Sequence, residues 1–260
     1  MSEPAPRLLE VRNLTCRFGG LQAVADLDFF VGQGEIKAII GPNGAGKTTL
    51  FNLISGVTAA TAGQVLLSGE AIDRLPAFGR AQLGISRTFQ NLQIFKAMTV
   101  LENVMVGSHT RSRCGTLQAL LRTSRSLAEE ADVRRRSLVL LERFSLLDRA
   151  DELAAVLSFG DSKVLEIARA LASQPRLLLL DEPAAGVSHA AASRVDKIIR
   201  ELNRDGLTVL LVEHNMGFVM DISHSIIVLD HGRKIAEGPP ATIQRDPAVL
   251  AAYLGEGEDA

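Results

Sequence analysis

The segment GPNGAGKTT, residues 41–49, has the glycine and lysine spacing of a loop that binds nucleotide phosphates. It follows the apolar run EIKAII and precedes a helical pattern, which is the context that this motif requires. Glycines let backbone N–H groups converge on phosphate oxygens, and the helix N-terminus adds a partial positive charge. We expect Lys47 to contact the β- and γ-phosphates and the Thr48 hydroxyl to bind Mg²⁺. The candidate nucleotide-binding residues of this loop are Gly41, Pro42, Asn43, Gly44, Ala45, Gly46, Lys47, Thr48 and Thr49.

Two acids, Asp181 and Glu182, end the apolar run RLLLL and are followed by Pro183. In an open parallel sheet, ligands bind at the carboxyl ends of the strands. We expect Asp181 to hold Mg²⁺ through water, and Glu182 to orient or deprotonate an attacking water. Taken alone, such a pair is more typical of a solvated strand end. The phosphate-binding loop elsewhere in the chain favours the catalytic interpretation.

The elements that must position these residues alternate after Leu157. Helices are predicted over 161–173, 189–205 and 215–222, and the runs RLLLL, LTVLLV and SIIVL are predicted strands. Alternating units of this kind predict a mostly parallel sheet covered by helices. The segment GRKIAEG is predicted to form an edge strand, and the tail 240–254 one or two short helices.

The first third of the chain contains the predicted strands LLEVRNL, LDFFVG and EIKAII and the hairpin-like stretch TAGQVLLSGEAI. From 91 to 156 helical patterns dominate. The residues expected on the inner face of the helix SLAEEADVRRRSLVLLERF are Leu127, Ala131, Leu138, Leu141 and Phe144. The fold class is therefore α/β, with an antiparallel β subdomain. A helical subdomain, 91–156, is inserted into a nucleotide-binding core formed by 1–90 and 157–260.

Composition sets further limits on function. The chain has 260 residues, 47% of them hydrophobic, and a formal net charge of -2, so no global basic field indicates a nucleic-acid partner. Cys16 and Cys114 lie far apart without metal-ligand spacing and are expected to be reduced thiols. The start, MSEPAPR, has no apolar leader, and the apolar runs are too short to span a bilayer. We expect a soluble or peripheral protein in the cytoplasm.

Five motifs in this order, GPNGAGKTT, RTFQN, LSFGDSK, LLLLDEP and LLVEHNM, resemble the nucleotide-binding subunits of ABC transporters. The resemblance covers nearly the whole chain. It implies the P-loop NTPase fold of an ABC cassette, ATP and Mg²⁺ as cofactors, and two ATP molecules sandwiched between two cassettes. It also explains the helical insert, which in that family separates a glutamine loop from a signature motif.

The resemblance implies further site residues. Gln90 looks like the glutamine that senses Mg²⁺ and the attacking water, and His214 is similar to the switch histidine that contacts the γ-phosphate. Taken alone, Gln90 would more often be a polar residue at a strand end, and His214 a structural histidine. Phe18 lies upstream of the loop, where the family stacks an aromatic ring on adenine, although a core aromatic is the alternative. Ser158 and Gly160 match the signature motif, which faces ATP held by the other subunit.

The chain departs from the family pattern at two places. Asp161, followed by Ser162 and Lys163, replaces the usual Gln/Arg run of the signature motif. A carboxylate favours the helix N-terminus but repels a γ-phosphate, with screening expected from Lys163 and water. Ser188 and His189 replace the usual Asn or Asp and the following Pro. The hypothesis is a weakened contribution of this subunit to its partner's ATP site.

The flanking segments RFGGLQAV, GISRTFQN, MTVLENV and EGPPATIQRDPAVLAAYLGE resemble ATP-binding subunits of bacterial branched-chain amino-acid importers. The implied partners are a second ABC ATPase subunit, two integral-membrane permeases and, indirectly, a periplasmic binding protein. The implied location is the cytoplasmic face of the inner membrane. Arg134, Arg135 and Arg136 are expected to form a solvated face, with a lipid-headgroup contact as the alternative. The residues that could line a permease groove, or equally form core, are Ile94, Phe95, Met98 and Val100.

The sequence is compatible with several alternative functions. Related systems move urea and other amides or aromatic acids, and a lipopolysaccharide-export ATPase shares the tail pattern. A soluble ABC protein of DNA repair or translation usually carries tandem cassettes or a long coiled-coil insertion, which this chain lacks. A small-molecule kinase with the same loop would leave the signature stretch and His214 without a purpose.

Overall fold

A computed structural model describes residues 6–90, 92–111 and 124–254. The strands are β1 (Arg7–Phe18), β2 (Leu21–Gly32), β3 (Ile36–Ile40), β4 (Ala62–Leu67), β5 (Glu70–Ala71), β6 (Ile85–Arg87), β7 (Leu177–Asp181), β8 (Thr208–Val212), β9 (Ser225–Asp230) and β10 (Arg233–Gly238). The helices are α1 (Lys47–Ser55), α2 (Ala77–Gln82), α3 (Val100–Gly107), α4 (Ser124–Arg143), α5 (Phe159–Ala172), α6 (His189–Arg204), α7 (Met216–Ile222), α8 (Pro240–Ile243) and α9 (Pro247–Leu254). Short 3₁₀ turns span Ser108–Arg111, Leu147–Arg149 and Ala154–Val156.

The larger sheet has six strands in the order β10-β9-β3-β8-β7-β6. Its inner pairs are parallel, and β10 joins the edge antiparallel to β9. Every residue of β3, β7 and β8 is buried, which is why these strands are nearly continuous apolar runs. The predicted parallel sheet and edge strand are confirmed. The three-residue β6 and the six-residue α2 were not predicted, because elements this short carry little periodicity.

The smaller sheet is antiparallel, in the order β2-β1-β4-β5, and includes the predicted hairpin of β4 and β5. α1 packs its buried residues Leu50, Phe51 and Ile54 into the apolar cluster that the two sheets share. A buried lysine also links the sheets: Lys37 Nζ on β3 lies 2.6 Å from the Phe30 carbonyl oxygen on β2. The phosphate-binding loop is therefore held between two sheets.

Helices α3 and α4 lie within the predicted insert 91–156 and pack on α5. The predicted inner face of α4 is correct only near its C-terminus, where Leu141 and the following Phe144 are buried. Leu127 is exposed and belongs to the half of α4 that extends beyond the packed core. Among the described residues, no helix is both long and apolar enough to cross a membrane. Cys16 is buried, and Cys114 lies outside the described residues.

The contact of α3 with α5 depends on Gly107. A Cβ at this position would lie 2.0 Å from the Arg169 carbonyl oxygen, so Gly107→Ala would force the two helices apart. We expect a loss of about 1–3 kcal/mol in the free energy of unfolding, measured by urea titration. Gly20→Ala is the control, because a Cβ there meets no described atom within 4 Å. Equal losses in both variants would contradict the close packing.

Candidate active site

The predicted phosphate-binding loop connects β3 to α1 and requires glycine at two points. A Cβ on Gly41, whose φ is 148°, would lie 2.0 Å from the Leu229 carbonyl oxygen. A Cβ on Gly46, whose φ is 98°, would lie 2.4 Å from the Ala23 carbonyl oxygen. α1 starts directly after Gly46, which has no side chain to cap the helix. The first N–H groups of α1 are therefore placed as anion donors.

Lys47 folds back over this loop. Its Nζ lies 2.6 Å from the Gly41 carbonyl oxygen and 2.8 Å from that of Pro42. Asn43, Gly44 and Thr48 are exposed, Thr49 is half-buried and Ala45 is buried. The ammonium group of Lys47 and the N–H groups of the helix thus fit nucleotide phosphates, and the exposed Thr48 hydroxyl fits Mg²⁺.

Asp181, at the end of β7, is buried and forms an ion pair with a neighbouring strand. Its Oδ2 lies 3.0 Å from Arg87 Nη2 on β6. Burial raises the pKa of Asp181, and the hydrogen bond and charge of Arg87 offset that increase only in part. The predicted Mg²⁺ residue is therefore a buried carboxylate whose charge is balanced by a protein cation.

Arg87 was not identified from the sequence, although it lies three residues before Gln90 in the motif RTFQN. Its Nη1 donates to Asn52 Oδ1 at 2.7 Å and to Ser55 Oγ at 3.0 Å, both on α1. Its guanidinium lies 5.1 Å from the centre of the Phe89 ring. Arg87 thus connects the loop helix, Asp181 and the segment leading to Gln90. No local pattern indicated Arg87, because β6 was itself not predicted and Asp181 lies 94 positions further along the chain.

Two of the predicted catalytic residues, Gln90 and His214, lie beside the carboxylate of the third, Glu182. Glu182 Oε2 accepts a hydrogen bond from Gln90 Nε2 at 3.3 Å and lies 3.8 Å from His214 Nδ1. Glu182 has a φ of 48°, which is uncommon outside glycine, and its N–H donates to the Val212 carbonyl oxygen at 2.9 Å. Tertiary contacts therefore hold the carboxylate just beyond the end of β7, beside the side chains of Gln90 and His214.

Glu213 is a second residue that sequence reasoning missed. It is fully buried, and its carboxylate accepts backbone N–H bonds from Ala184 at 2.8 Å, His214 at 3.2 Å and Asn215 at 3.5 Å. Burial raises the pKa of Glu213, against the effect of these N–H donors. Glu213 ties the loop after Glu182 to the loop that carries His214.

Phe18 ends β1 at the tip of the β1–β2 hairpin and is 52% exposed. The alternative that Phe18 is a core aromatic is therefore wrong. An exposed ring at this tip agrees with the expectation of an adenine platform, which stays a prediction.

The predicted signature residues lie at the start of α5. Ser158 is the N-cap: its Oγ accepts from the Asp161 N–H at 3.1 Å and donates to Asp161 Oδ2 at 2.8 Å. This cap explains why α5 begins at Phe159, two residues before the predicted start. Gly160 lies against α6, where a Cβ would come within 2.9 Å of Ala191 Cβ.

Asp161 is paired with two arginines. Its Oδ1 lies 2.6 Å from Arg194 Nη1 and its Oδ2 lies 3.3 Å from Arg149 Nη1. Burial favours the neutral acid, but the bonds from Ser158 and Arg194 and the charges of both arginines outweigh it and lower the pKa of Asp161. The prediction that Lys163 screens the charge of Asp161 is wrong. Lys163 is buried, and its Nζ points to the Gln90 carbonyl oxygen at 3.4 Å.

The second departure from the family pattern preserves a helix cap. Ser188 is the N-cap of α6, and its Oγ accepts from the Ala191 N–H at 3.4 Å. His189 is exposed as the first residue of the helix. Serine thus retains the capping function that Asn or Asp would have.

The oxygen donors fit a magnesium ion that is bound together with a nucleotide. Thr48, Asp181 and Gln90 offer a hydroxyl, a carboxylate and an amide oxygen. Among the described residues, no group of three or more His, Cys, Asp or Glu side chains could hold a metal ion. Mg²⁺ suits this sparse set, because it commonly keeps several waters and binds substrate phosphates beside one or two carboxylates.

A phosphate-binding loop at the end of a parallel strand, together with a signature stretch whose serine caps a helix, defines a nucleotide-binding cassette. Residues 24–185 match the family model described as ABC transporter, and residues 233–259 match that of the branched-chain amino acid ATP-binding cassette transporter. The chain belongs to the ABC transporter family.

Relatives and solved structures agree with this assignment. The chain is 42% identical to the high-affinity branched-chain amino acid transport ATP-binding protein LivG of Escherichia coli K12, over 98% of this chain and 100% of LivG. It is 36% identical to the lipopolysaccharide export ATP-binding protein LptB of Haemophilus influenzae, over 96% of this chain and 98% of LptB. The ADP conformation of an ATP-binding cassette of an ABC transporter superposes with a TM-score of 0.84 at 33% identity, covering 96% of this chain and 99% of that chain.

Removal of Arg87 tests the buried ion pair. Arg87→Met leaves Asp181 buried without its cation, so we expect a loss of about 3 kcal/mol in the free energy of unfolding. Mg²⁺ with ATP should reduce the loss, because it supplies positive charge at Asp181. Urea unfolding with and without Mg²⁺-ATP measures both effects. The control is Arg12→Met, which breaks an exposed pair with Glu10 and should cost about 0–1 kcal/mol. A loss no larger than that of the control would contradict the pairing.

Proposed function

We propose that this chain hydrolyses ATP as the ATP-binding subunit of an importer for branched-chain or other hydrophobic amino acids. The observation that carries the hydrolytic role is the convergence of Gln90 and His214 on the Glu182 carboxylate. The substrate class is supported by the relative named for branched-chain amino acid transport and by the family match over residues 233–259. The lower identity to the lipopolysaccharide-export protein makes export the second candidate.

In this proposal each residue of the site has a separate role in hydrolysis. Lys47 and the N–H groups of the loop bind the phosphates, while Glu182 orients or deprotonates the water that attacks the γ-phosphorus. The new P–O bond forms as the bond to the ADP oxygen breaks, and His214 contacts the γ-phosphate. Thr48, Asp181 and Gln90 would hold Mg²⁺, which would supply positive charge to the phosphate oxygens.

Two cassettes complete the arrangement. The start of α5 presents Ser158 and Gly160, and a helix N-terminus attracts phosphate. In our proposal these residues close the ATP site of a second ABC ATPase subunit, so that ATP binding drives dimerisation and hydrolysis reverses it. The second subunit is either another copy of this chain or a different cassette.

The permease partner would dock at a cleft of about 680 Å³ beside Gln90. Its lining residues include Phe89, Gln93, Ile94, Phe95, Glu166 and Arg169. Phe95 is exposed, and its ring lies 5.4 Å from the Arg169 guanidinium. Met98 lies on the exposed surface, whereas Val100 is fully buried, so Val100 belongs to the core and not to the predicted groove.

In this proposal the chain is peripheral, at the cytoplasmic face of the bacterial inner membrane. It contacts two permease subunits, and it reaches the periplasmic binding protein only through them.

The catalytic assignment is tested by Glu182→Gln. The amide keeps an acceptor oxygen but loses the charge that activates water, so we expect hydrolysis to fall at least about 100-fold. ATP affinity should stay within about threefold of the original, because binding depends mainly on the loop. Phosphate release and binding of a fluorescent ATP analogue measure the two effects. Glu201→Gln, on the exposed side of α6, is the control. Normal turnover in Glu182→Gln would remove Glu182 from this role.

The docking cleft is tested by Phe95→Ser. Loss of the exposed ring should reduce recovery of the chain with permeases from solubilised membranes, while ATPase activity of the isolated chain stays unchanged. The matched control is Phe30→Ser, since Phe30 is also exposed and carries an arginine, Arg7, over its ring at 4.5 Å. Equal recovery for Phe95→Ser and the original chain would place the permease elsewhere.

A further inference from the structure

A compact charged group, which we call the signature cluster, surrounds the N-cap of α5. It consists of Ser158, Asp161, Arg149 and Arg194. The Asp161 carboxylate accepts bonds from all three other members, at 2.8 Å from Ser158 Oγ, 3.3 Å from Arg149 Nη1 and 2.6 Å from Arg194 Nη1. Its side chain is 22% exposed, so the group lies at the surface beside the helix end that would meet a phosphate.

The two arginines come from different parts of the fold and have further partners. Arg194, on α6, also donates to the Phe144 carbonyl oxygen, just beyond α4. Arg149, on a 3₁₀ turn, also pairs with Glu152 at 2.8 Å. Arg194 thus has Asp161 as its ionic partner, whereas the charge of Arg149 is shared between two acids. Arg194 is therefore the principal cation that balances Asp161.

We propose that Arg194 is a positioning residue that neutralises Asp161, so that the start of α5 can receive the γ-phosphate of ATP bound to a second cassette. This inference rests on the proposed function. An uncompensated carboxylate beside Ser158 would repel a phosphate. With its charge balanced by Arg194 and Arg149, Asp161 keeps the helix capped without opposing the incoming phosphate.

A purely structural cluster and a neutralising one give different results in a double-mutant cycle. If Arg194 only holds α6 against α5, removing either Arg194 or Asp161 breaks the same contact and both variants should be impaired. If Arg194 neutralises Asp161, Arg194→Met leaves the negative charge of Asp161 unbalanced against the incoming phosphate. Asp161→Asn removes that charge. The damage of Arg194→Met should then disappear when Asp161→Asn is added.

The experiment measures ATP-dependent self-association of the full chain in a Glu182→Gln background, where ATP persists. Sedimentation with Mg²⁺-ATP follows association, and fluorescent-ATP binding and thermal unfolding are followed in parallel. We expect Arg194→Met to weaken association about tenfold, equivalent to about 1.4 kcal/mol. Arg194→Met with Asp161→Asn should return to within about threefold of Asp161→Asn alone, and Arg194→Lys should retain most association. The matched control is Arg200→Met, which breaks the Arg200–Asp196 pair on the same helix.

Each other outcome contradicts a defined part of the account. If the double variant associates as poorly as Arg194→Met, or Asp161→Asn is equally impaired, the cluster is structural and the inference is wrong. A chain that binds ATP but does not associate in the Glu182→Gln background contradicts the inference for a pair of identical cassettes. A chain that binds no ATP contradicts the proposed function itself.

Discussion

Parallel pairing of β3, β7 and β8 is the constraint on which the rest of the molecule depends. These fully buried strands run side by side, so their carboxyl ends open at one edge of the sheet. Gly41 follows the first, Asp181 ends the second and Glu213 follows the third. Parallel pairing thus brings residues more than 170 positions apart in the chain to the same edge of the sheet. The apolar runs that make the strands leave polar side chains only at their ends, which is where a phosphate ligand needs them.

Charge at this edge is balanced by groups from other elements. Arg87 on the edge strand β6 pairs with Asp181, and three backbone N–H groups surround Glu213. Buried carboxylates of this kind are costly unless they are paired, so the partners are as necessary as the acids. The signature cluster follows the same rule at the surface, where Arg194 balances Asp161. In both places the compensating arginine lies on a different element from its acid, which ties elements together.

Local sequence patterns predicted much of this arrangement. They failed where contacts between residues far apart in the sequence determine the structure. The loop motif, the helix–strand alternation and Glu182 were identifiable because each leaves a signal within a few residues of sequence. The partners of Asp161 could not be identified in this way. Lys163 was chosen because it is near in sequence, whereas the residues that pair with Asp161 in space are Arg149 and Arg194. Likewise, helical periodicity placed Leu127 on an inner face although the core ends before that part of α4. The domain boundaries at 91 and 156 stay predictions.

The most direct test of the active site is an experimental structure of this chain with Mg²⁺ and a non-hydrolysable ATP analogue. We predict that Lys47 Nζ leaves the carbonyl oxygens of Gly41 and Pro42 to contact phosphate. We also predict that Mg²⁺ lies between the Thr48 hydroxyl and Asp181, with a water between Glu182 and the γ-phosphorus. A nucleotide bound away from the loop, or a Glu182 carboxylate turned away from the γ-phosphate with no water between them, would contradict the account.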